Sequence, residues 1–238
     1  MIYNFAPSEL DFIKCKRCYY LAKIKDLRYR GTFPQVFNDF DRDQKNYFIS
    51  KNSNILSEKL PKGNFFKTVT KTEIERRRRK NLKELKELEL PATIKSKELK
   101  DKKKRTFTLA GKPDLVVKFD RGYGILDFKT TGEIDKTKNY KYQLEAYSQI
   151  LENPNKDTPK LFPITVTGLI QFTPEEIVSH NSGSVSEKMK MQYFNNDRNK
   201  DDFYDRITAL IDILEQKQVP LFDARCELCN YSRETSKL

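Results

Sequence analysis

The segment GKPDLVVKFDRGYGILDFKTTG, residues 111–132, sets Asp114 at the head of one apolar run and Asp127 and Lys129 at the end of the next. Side chains alternate faces along a strand, so Asp127 and Lys129 project together while Phe128 points into the core. RGYG, residues 121–124, is a turn signal between the runs. If they pair across it as a hairpin, Asp114 comes beside Asp127 and Lys129. Two carboxylates that close repel unless a cation lies between them. Magnesium is the oxygen-seeking cation that one or two carboxylates, with water and phosphate, can hold. The backbone carbonyl of Phe128 offers a third protein ligand. A metal held there polarises a phosphoryl oxygen and acidifies a bound water. Lys129 can orient that water and offset the charge that develops around phosphorus. The chemistry is hydrolysis of a phosphodiester. An isolated Asp-x-Lys, by contrast, is usually just two charges decorating a strand end.

The pattern is longer than those three residues. Gly111, Pro113 and Asp114 form GKPD, Asp127 and Lys129 lie in DFK, and Gln143 and Tyr147 lie four apart in QLEAY. That last spacing puts both on one face of a helix. In this order and at these gaps the chain resembles the PD-(D/E)XK nuclease superfamily, and more narrowly the RecB-type nuclease domains and related CRISPR-associated exonucleases. The resemblance implies an α/β, restriction-endonuclease-like core, with a mixed central β-sheet flanked by helices. It implies that Asp114 and Asp127 hold Mg2+ or Mn2+, that Lys129 assists the water, and that Gln143 and Tyr147 line the site. The implied function is metal-dependent cleavage of DNA, single-stranded or at duplex ends, by an exonuclease of replication, recombination or repair. The alternative is the same fold with weakened turnover, acting as a nucleic-acid-binding or assembly subunit.

Many RecB-type domains carry a further histidine ligand on an upstream helix. The one histidine here, His180, follows the core and is assigned no role. Asp41, in FNDFDRDQKNYF, is a candidate replacement, with Asp39 and Asp43 equally arguable. Glu98 is another candidate site acid.

The cysteines form two pairs, Cys15 with Cys18 in CKRC and Cys226 with Cys229 in CELC. Thiolates are soft ligands, so four of them point to zinc or an iron–sulphur cluster. A site built from both pairs joins the two ends of the chain. RecB-like relatives often hold a [4Fe-4S] cluster with one cysteine before the core and three after it, the latter spaced C-x2-C-x5-C. Here Thr235 stands at the last of those positions and Cys18 is extra. The resemblance favours [4Fe-4S], and a two-plus-two set equally suits tetrahedral Zn2+.

The net charge of +12 favours a polyanionic partner. Residues 71–105 hold fifteen Lys or Arg against seven Asp or Glu, contributing +8 of it. They could grip a phosphate backbone or form a solvated, salt-bridged face. Tyr19, Tyr20, Tyr140 and Tyr142 are candidates for stacking on unpaired bases, or for packing. No run nears the roughly 18 apolar residues of a membrane span. The start, MIYNFAPSELDF, lacks the basic and apolar regions of a secretory signal. The expectation is a cytoplasmic protein without a membrane partner.

These residues need elements to hold them. One domain over 1–238 is expected, with a helical N-terminal part to about 90, a catalytic core over about 91–175, and a C-terminal helix and cysteine tail over about 198–238. Ser8 and Asp11 suggest a capping box for a helix through 12–24. Further helices are expected over 33–50, over 73–90 until Pro91 ends it, and over 139–152. Strands are expected at 92–97, 105–111, 113–120, 123–129 and 161–172. Phe203, Ile207, Leu210, Ile211 and Leu214 have the period of an amphipathic helix. The polar stretch 179–200 suggests a loop or irregular excursion, and the tail after Cys229 should fray.

Overall fold

LVVKF and GILDF are apolar at successive positions. Leu115, Val117, Phe119, Leu126 and Phe128 bury into one cluster, while Val116 and Ile125 bury into another. Strands buried on both faces must lie inside a sheet covered on both sides. The computed structural model of the chain, which describes residues 1–236 other than 12, 14, 29–34, 50, 52 and 132–138, has that arrangement. In chain order the elements are β1 (Ile2–Phe5), a 3-10 turn at Pro7–Glu9, α1 (Lys16–Ile24), α2 (Gln35–Ile49), a 3-10 turn at Ser53–Ile55, β2 (Gly63–Phe65), β3 (Lys67–Val69), α3 (Lys71–Arg79), β4 (Glu89–Pro91), β5 (Ile94–Lys95), β6 (Leu99–Lys100), β7 (Thr106–Gly111), β8 (Leu115–Phe119), β9 (Gly122–Thr130), α4 (Lys141–Glu152), β10 (Ile164–Asn181), β11 (Ser184–Asn195), α5 (Lys200–Leu214) and α6 (Glu227–Thr235).

The main sheet runs β11-β10-β9-β8-β2. β8 and β9 pair as the expected hairpin, with Leu115 opposite Leu126 and Phe119 opposite Gly122. β10 lies parallel to β9, while the other pairings in this sheet are antiparallel. Parallel neighbours need a crossover, and α4 lies in it, buried from Gln143 to Leu151. A second sheet centres on β7, with β1 parallel and β5 and β6 antiparallel to it. β3 and β4 form a separate parallel pair. This is the mixed α/β, restriction-endonuclease-like architecture expected from the sequence. On α5, Phe203, Ile207, Leu210 and Ile211 are fully buried, as their spacing requires. Asn199 caps that helix by accepting from the Asp202 N–H at 3.0 Å. No helix among the described residues is long and apolar enough to cross a membrane.

The structure corrects several local expectations. The helix expected over 73–90 stops at Arg79. Asn81 takes φ +54°, and the N–H groups of Asn81 and Leu82 close back on the carbonyls of Arg78 and Arg77 at 3.1 and 3.0 Å. That double bond pattern with a left-handed residue is a Schellman stop. Arg77 and Arg78 then draw Glu89 and Glu84 back against the helix, so Leu90 enters strand β4.

The polar stretch 179–200 is mostly strand. β10 and β11 form a long hairpin arm that turns at Gly183, whose φ of +104° suits glycine. The missed signals were the Ser-Gly turn and the alternation of Met189, Met191 and Tyr193, which pack on the cluster around Phe128.

Ser8 and Asp11 do not cap the first helix. Glu9 closes a 3-10 turn by accepting from the Ala6 N–H at 3.1 Å, and α1 begins later, with Cys15 as its cap. The strand expected at 92–97 is shorter, and β6 is separate from it. The tail expected to fray forms α6. The expected helix over 33–50 corresponds to α2, with 33, 34 and 50 outside the described residues.

Phe203 lies wholly inside the core between α4 and the second sheet. Phe203→Ala is expected to lower unfolding free energy by about 3–5 kcal/mol, read from urea denaturation.

Candidate active site

The open ends of β8 and β9 meet the N-terminus of α4 and one side of α2. Between them lies a cleft of about 410 Å³, bordered by Ala6 to Ser8, Asp41, Lys45, Gly111, Lys112, Asp114, Asp127, Phe128, Lys129, Gln143 and Tyr147. Asp114, Asp127, Lys129, Gln143 and Tyr147, the residues expected at one site, all border it.

Asp127 is only 2% exposed. Its Oδ1 accepts from Gln143 Nε2 at 2.8 Å. Its Oδ2 is held by the Lys129 ammonium. Asp114 Oδ2 accepts from the Phe128 N–H at 2.8 Å, and its Oδ1 lies 2.7 Å from Lys45 Nζ. Phe128 sends its ring into the opposite cluster, against Phe48 and Phe172, so what it can present to the cleft is backbone. Tyr147 donates its hydroxyl to the Lys112 carbonyl at 2.9 Å, fixing the strand entry that carries Asp114. A Cβ at Gly111 would come within 2.9 Å of the Tyr147 ring and 2.8 Å of Pro7, so the close approach there requires glycine. Tyr140 covers Lys129, whose Nζ lies 4.5 Å from the ring centre.

Burial, reinforced by the charge of Asp114, pushes the Asp127 carboxyl up to about 7. Burial also opposes charge on Lys129, but the two neighbouring carboxylates outweigh it and hold its pKa above the ordinary value. Burial and the same carboxylates push the Tyr147 phenol up.

Two site residues escaped sequence reasoning. Asp11 accepts from the N–H groups of Tyr142 and Gln143 at 3.0 and 2.7 Å, capping α4 from across the fold. Burial raises its carboxyl to about 6 despite those bonds. Lys45 bridges Asp114 and Asp41, the latter at 2.6 Å. The Asp41–Lys45 spacing of four on a helix was the available signal.

Of the three candidate acids on α2, Asp41 borders the cleft, whereas Asp39 and Asp43 pair with Arg42. Glu98 is exposed and stands away from the cleft. His180 sits near the tip of the arm, opposite Val185. Tyr19 and Tyr20 are buried in the core, which removes them as base-stacking candidates. Tyr142 donates to Asp202 at 3.2 Å and packs under Lys141 and Arg206. The basic segment is not one continuous face. Arg76, Arg77, Arg78, Lys102, Lys103 and Arg105 are ion-paired, whereas Arg79, Lys80, Lys83 and Lys86 have no ion pair among the described residues.

The donor set fits a hard divalent cation: two carboxylates at adjacent strand ends, one of them buried, border one cleft.

The four cysteines also converge. Sγ atoms of Cys15 and Cys229 are 3.5 Å apart, those of Cys18 and Cys229 3.6 Å, and those of Cys18 and Cys226 3.7 Å. All four lie within 4.8 Å of one another. Both pairs have the same local form: one cysteine caps a helix and the other lies in its first turn. Zinc–sulphur bonds of about 2.3 Å imply tetrahedral S···S edges of about 3.8 Å. In a four-iron cubane each thiolate sits on a different iron and the sulphurs are spread further apart. The four sulphurs lie close enough together to hold a metal. Arg17 strengthens the same junction, donating to the Pro220 carbonyl at 2.9 Å and lying over the Phe222 ring.

The family described as the PD-(D/E)XK nuclease superfamily matches residues 4–233. No curated protein shows a significant match to the chain. A solved structure titled "Crystal structure of SSO0001" is similar at 13% identity and a TM-score of 0.39, over 97% of this chain and 84% of that one.

Burial holds the Asp127 carboxyl at about 7 in the fold, against 3.8 for a free aspartate carboxyl. Between those values this group binds more protons in the folded chain than in the unfolded chain, so its contribution to stability falls as pH rises through that window. Each unit of difference corresponds to about 1.4 kcal/mol. Asp11 adds to the fall up to about pH 6. Urea denaturation across this range should show the decline, and Asp127→Asn should flatten its upper part, between about pH 6 and 7.

Proposed function

The chain belongs to the PD-(D/E)XK nuclease superfamily, and from that premise we propose that it is a divalent-metal-dependent deoxyribonuclease. Within the superfamily we assign it to the RecB-type group, as a single-domain exonuclease acting on single-stranded DNA or duplex ends in replication, recombination or repair. The proposed compartment is the cytoplasm. One observation carries the reading: a buried carboxylate, Asp127, borders the same cleft as Asp114 and Lys129. Buried charge is costly unless it is paired or coordinates a metal.

Asp114, Asp127 and the Phe128 carbonyl would hold magnesium or manganese, which when bound polarises a phosphoryl oxygen and acidifies water. Gln143 fixes the carboxylate of Asp127 through Oδ1, leaving Oδ2 toward Lys129. Lys129, held between Asp127 and the Tyr140 ring, orients the attacking water and offsets charge on the phosphoryl group. Tyr147 keeps the GKPD strand entry in place through the Lys112 carbonyl. Arg79, Lys80, Lys83 and Lys86 supply cations for the phosphate backbone, and affinity from such contacts falls steeply with salt.

The second reading, a nucleic-acid-binding subunit with weakened turnover, is favoured by the lack of a histidine upstream of GKPD, since the one histidine is His180. Cleavage of end-labelled single- and double-stranded DNA with magnesium or manganese separates the two. Lys129→Ala should lower the rate at least about 100-fold while DNA binding persists. A wild-type protein that binds DNA but cuts none of it would establish the second reading instead.

For the cysteines, the sulphur spacing supports one zinc ion as a structural staple between the chain ends. Metal analysis of purified protein should give one zinc per chain. Four irons per chain with visible iron–sulphur absorbance would establish a [4Fe-4S] cluster instead.

A further inference from the structure

Lys45 has no part in the chemistry described so far, yet its ammonium lies in the middle of the acids. It stands 2.6 Å from Asp41 and 2.7 Å from Asp114, from a helix that shares no strand with the hairpin. The charges that border the cleft are Asp41, Asp114 and Asp127 with Lys45, Lys112 and Lys129. When all are ionised, the three carboxylates balance the three ammonium groups. A divalent cation then leaves excess positive charge, which a phosphodiester anion neutralises in part. Lys45 is the ammonium freed when that cation takes Asp114.

Geometry and side-chain chemistry agree with this count. Asp114 offers Oδ1 to Lys45 and Oδ2 to the Phe128 N–H, so a cation taking Asp114 as ligand draws on the oxygen that Lys45 now holds. Lysine is a flexible point charge with three donors, suited to follow a phosphate oxygen. Asp41, on the same face of α2, retains the lysine at the cleft after Asp114 is lost to it.

We propose that Lys45 is a substrate-binding residue that holds Asp114 before a divalent cation arrives, yields that carboxylate to the cation, and then binds a non-bridging oxygen of the nucleic-acid phosphate. Its second half rests on the nuclease reading; its first half does not.

The test compares Lys45→Met and Lys45→Arg in a Lys129→Ala background that prevents turnover. Manganese affinity is measured by calorimetry without nucleic acid, and affinity for a short single-stranded oligonucleotide by fluorescence anisotropy with manganese present. Lys45→Met should bind manganese about tenfold more tightly and the oligonucleotide about tenfold more weakly. Lys45→Arg should keep oligonucleotide affinity near that of the background. Manganese affinity that is unchanged or weaker in Lys45→Met overturns the proposal. Oligonucleotide affinity unchanged in Lys45→Met overturns its second half. Absence of DNA cleavage by the wild-type protein counts against the nuclease reading alone, because the manganese comparison decides the first half independently.

Discussion

The arrangement of this fold turns on one buried charge. Asp127 lies at the end of an interior strand, nearly sealed from water, where its ionised form is expensive. Two neighbouring groups offset that cost. Gln143 gives a hydrogen bond from α4, and Lys129 gives an opposite charge from two residues along the same strand. Gln143 can do so only because α4 is held by its N-terminus, where Asp11 accepts from two N–H groups. The segment bearing Asp11 is held in turn by Arg206 of α5, which donates to the carbonyls of Leu10 and Ile13. Just beyond it come Cys15 and Cys18. Hydrogen bonds thus link the segment just before the cysteines to the buried carboxylate of the central sheet.

The same site works against the fold's stability. Asp114 and Asp127 crowd like charge together, and ion pairs with lysine only partly relieve it. Apolar packing on both sides of the sheet tolerates this tension: the cluster of α4, α5 and the second sheet on one face, and the phenylalanines of α2, β9 and β10 on the other. Strands buried on two faces are the rigid supports that a site dependent on sub-ångström positioning needs.

Charge outside the cleft divides differently from its distribution along the chain. Much of the excess in 71–105 is consumed within the protein. Arg77 ties α3 to β4 through Glu73 and Glu89, and Arg105 ties β7 to α5 through Asp212 and Glu215. Partly shielded arginine networks of this kind hold elements together. The exposed cations left without acidic partners remain the ones suited to a polyanion.

The sequence by itself determined the hairpin of β8 and β9, the helix faces of α4 and α5, and the nearness of Asp114, Asp127 and Lys129, because each follows from local periodicity or a tight turn. It also paired the cysteines by chemical type. The stop of α3 at Arg79 was local but unread: Asn81 takes the left-handed conformation that closes the helix. Only the tertiary structure could turn Asp11 from a cap of its own helix into the cap of α4, 131 residues away. Lys45 met Asp114 by the same kind of long-range docking, which no spacing encodes. The four sulphurs were brought together by the packing of α1 against α6. Local steric and hydrogen-bonding preferences can be read along the chain, whereas partners that meet only through packing cannot.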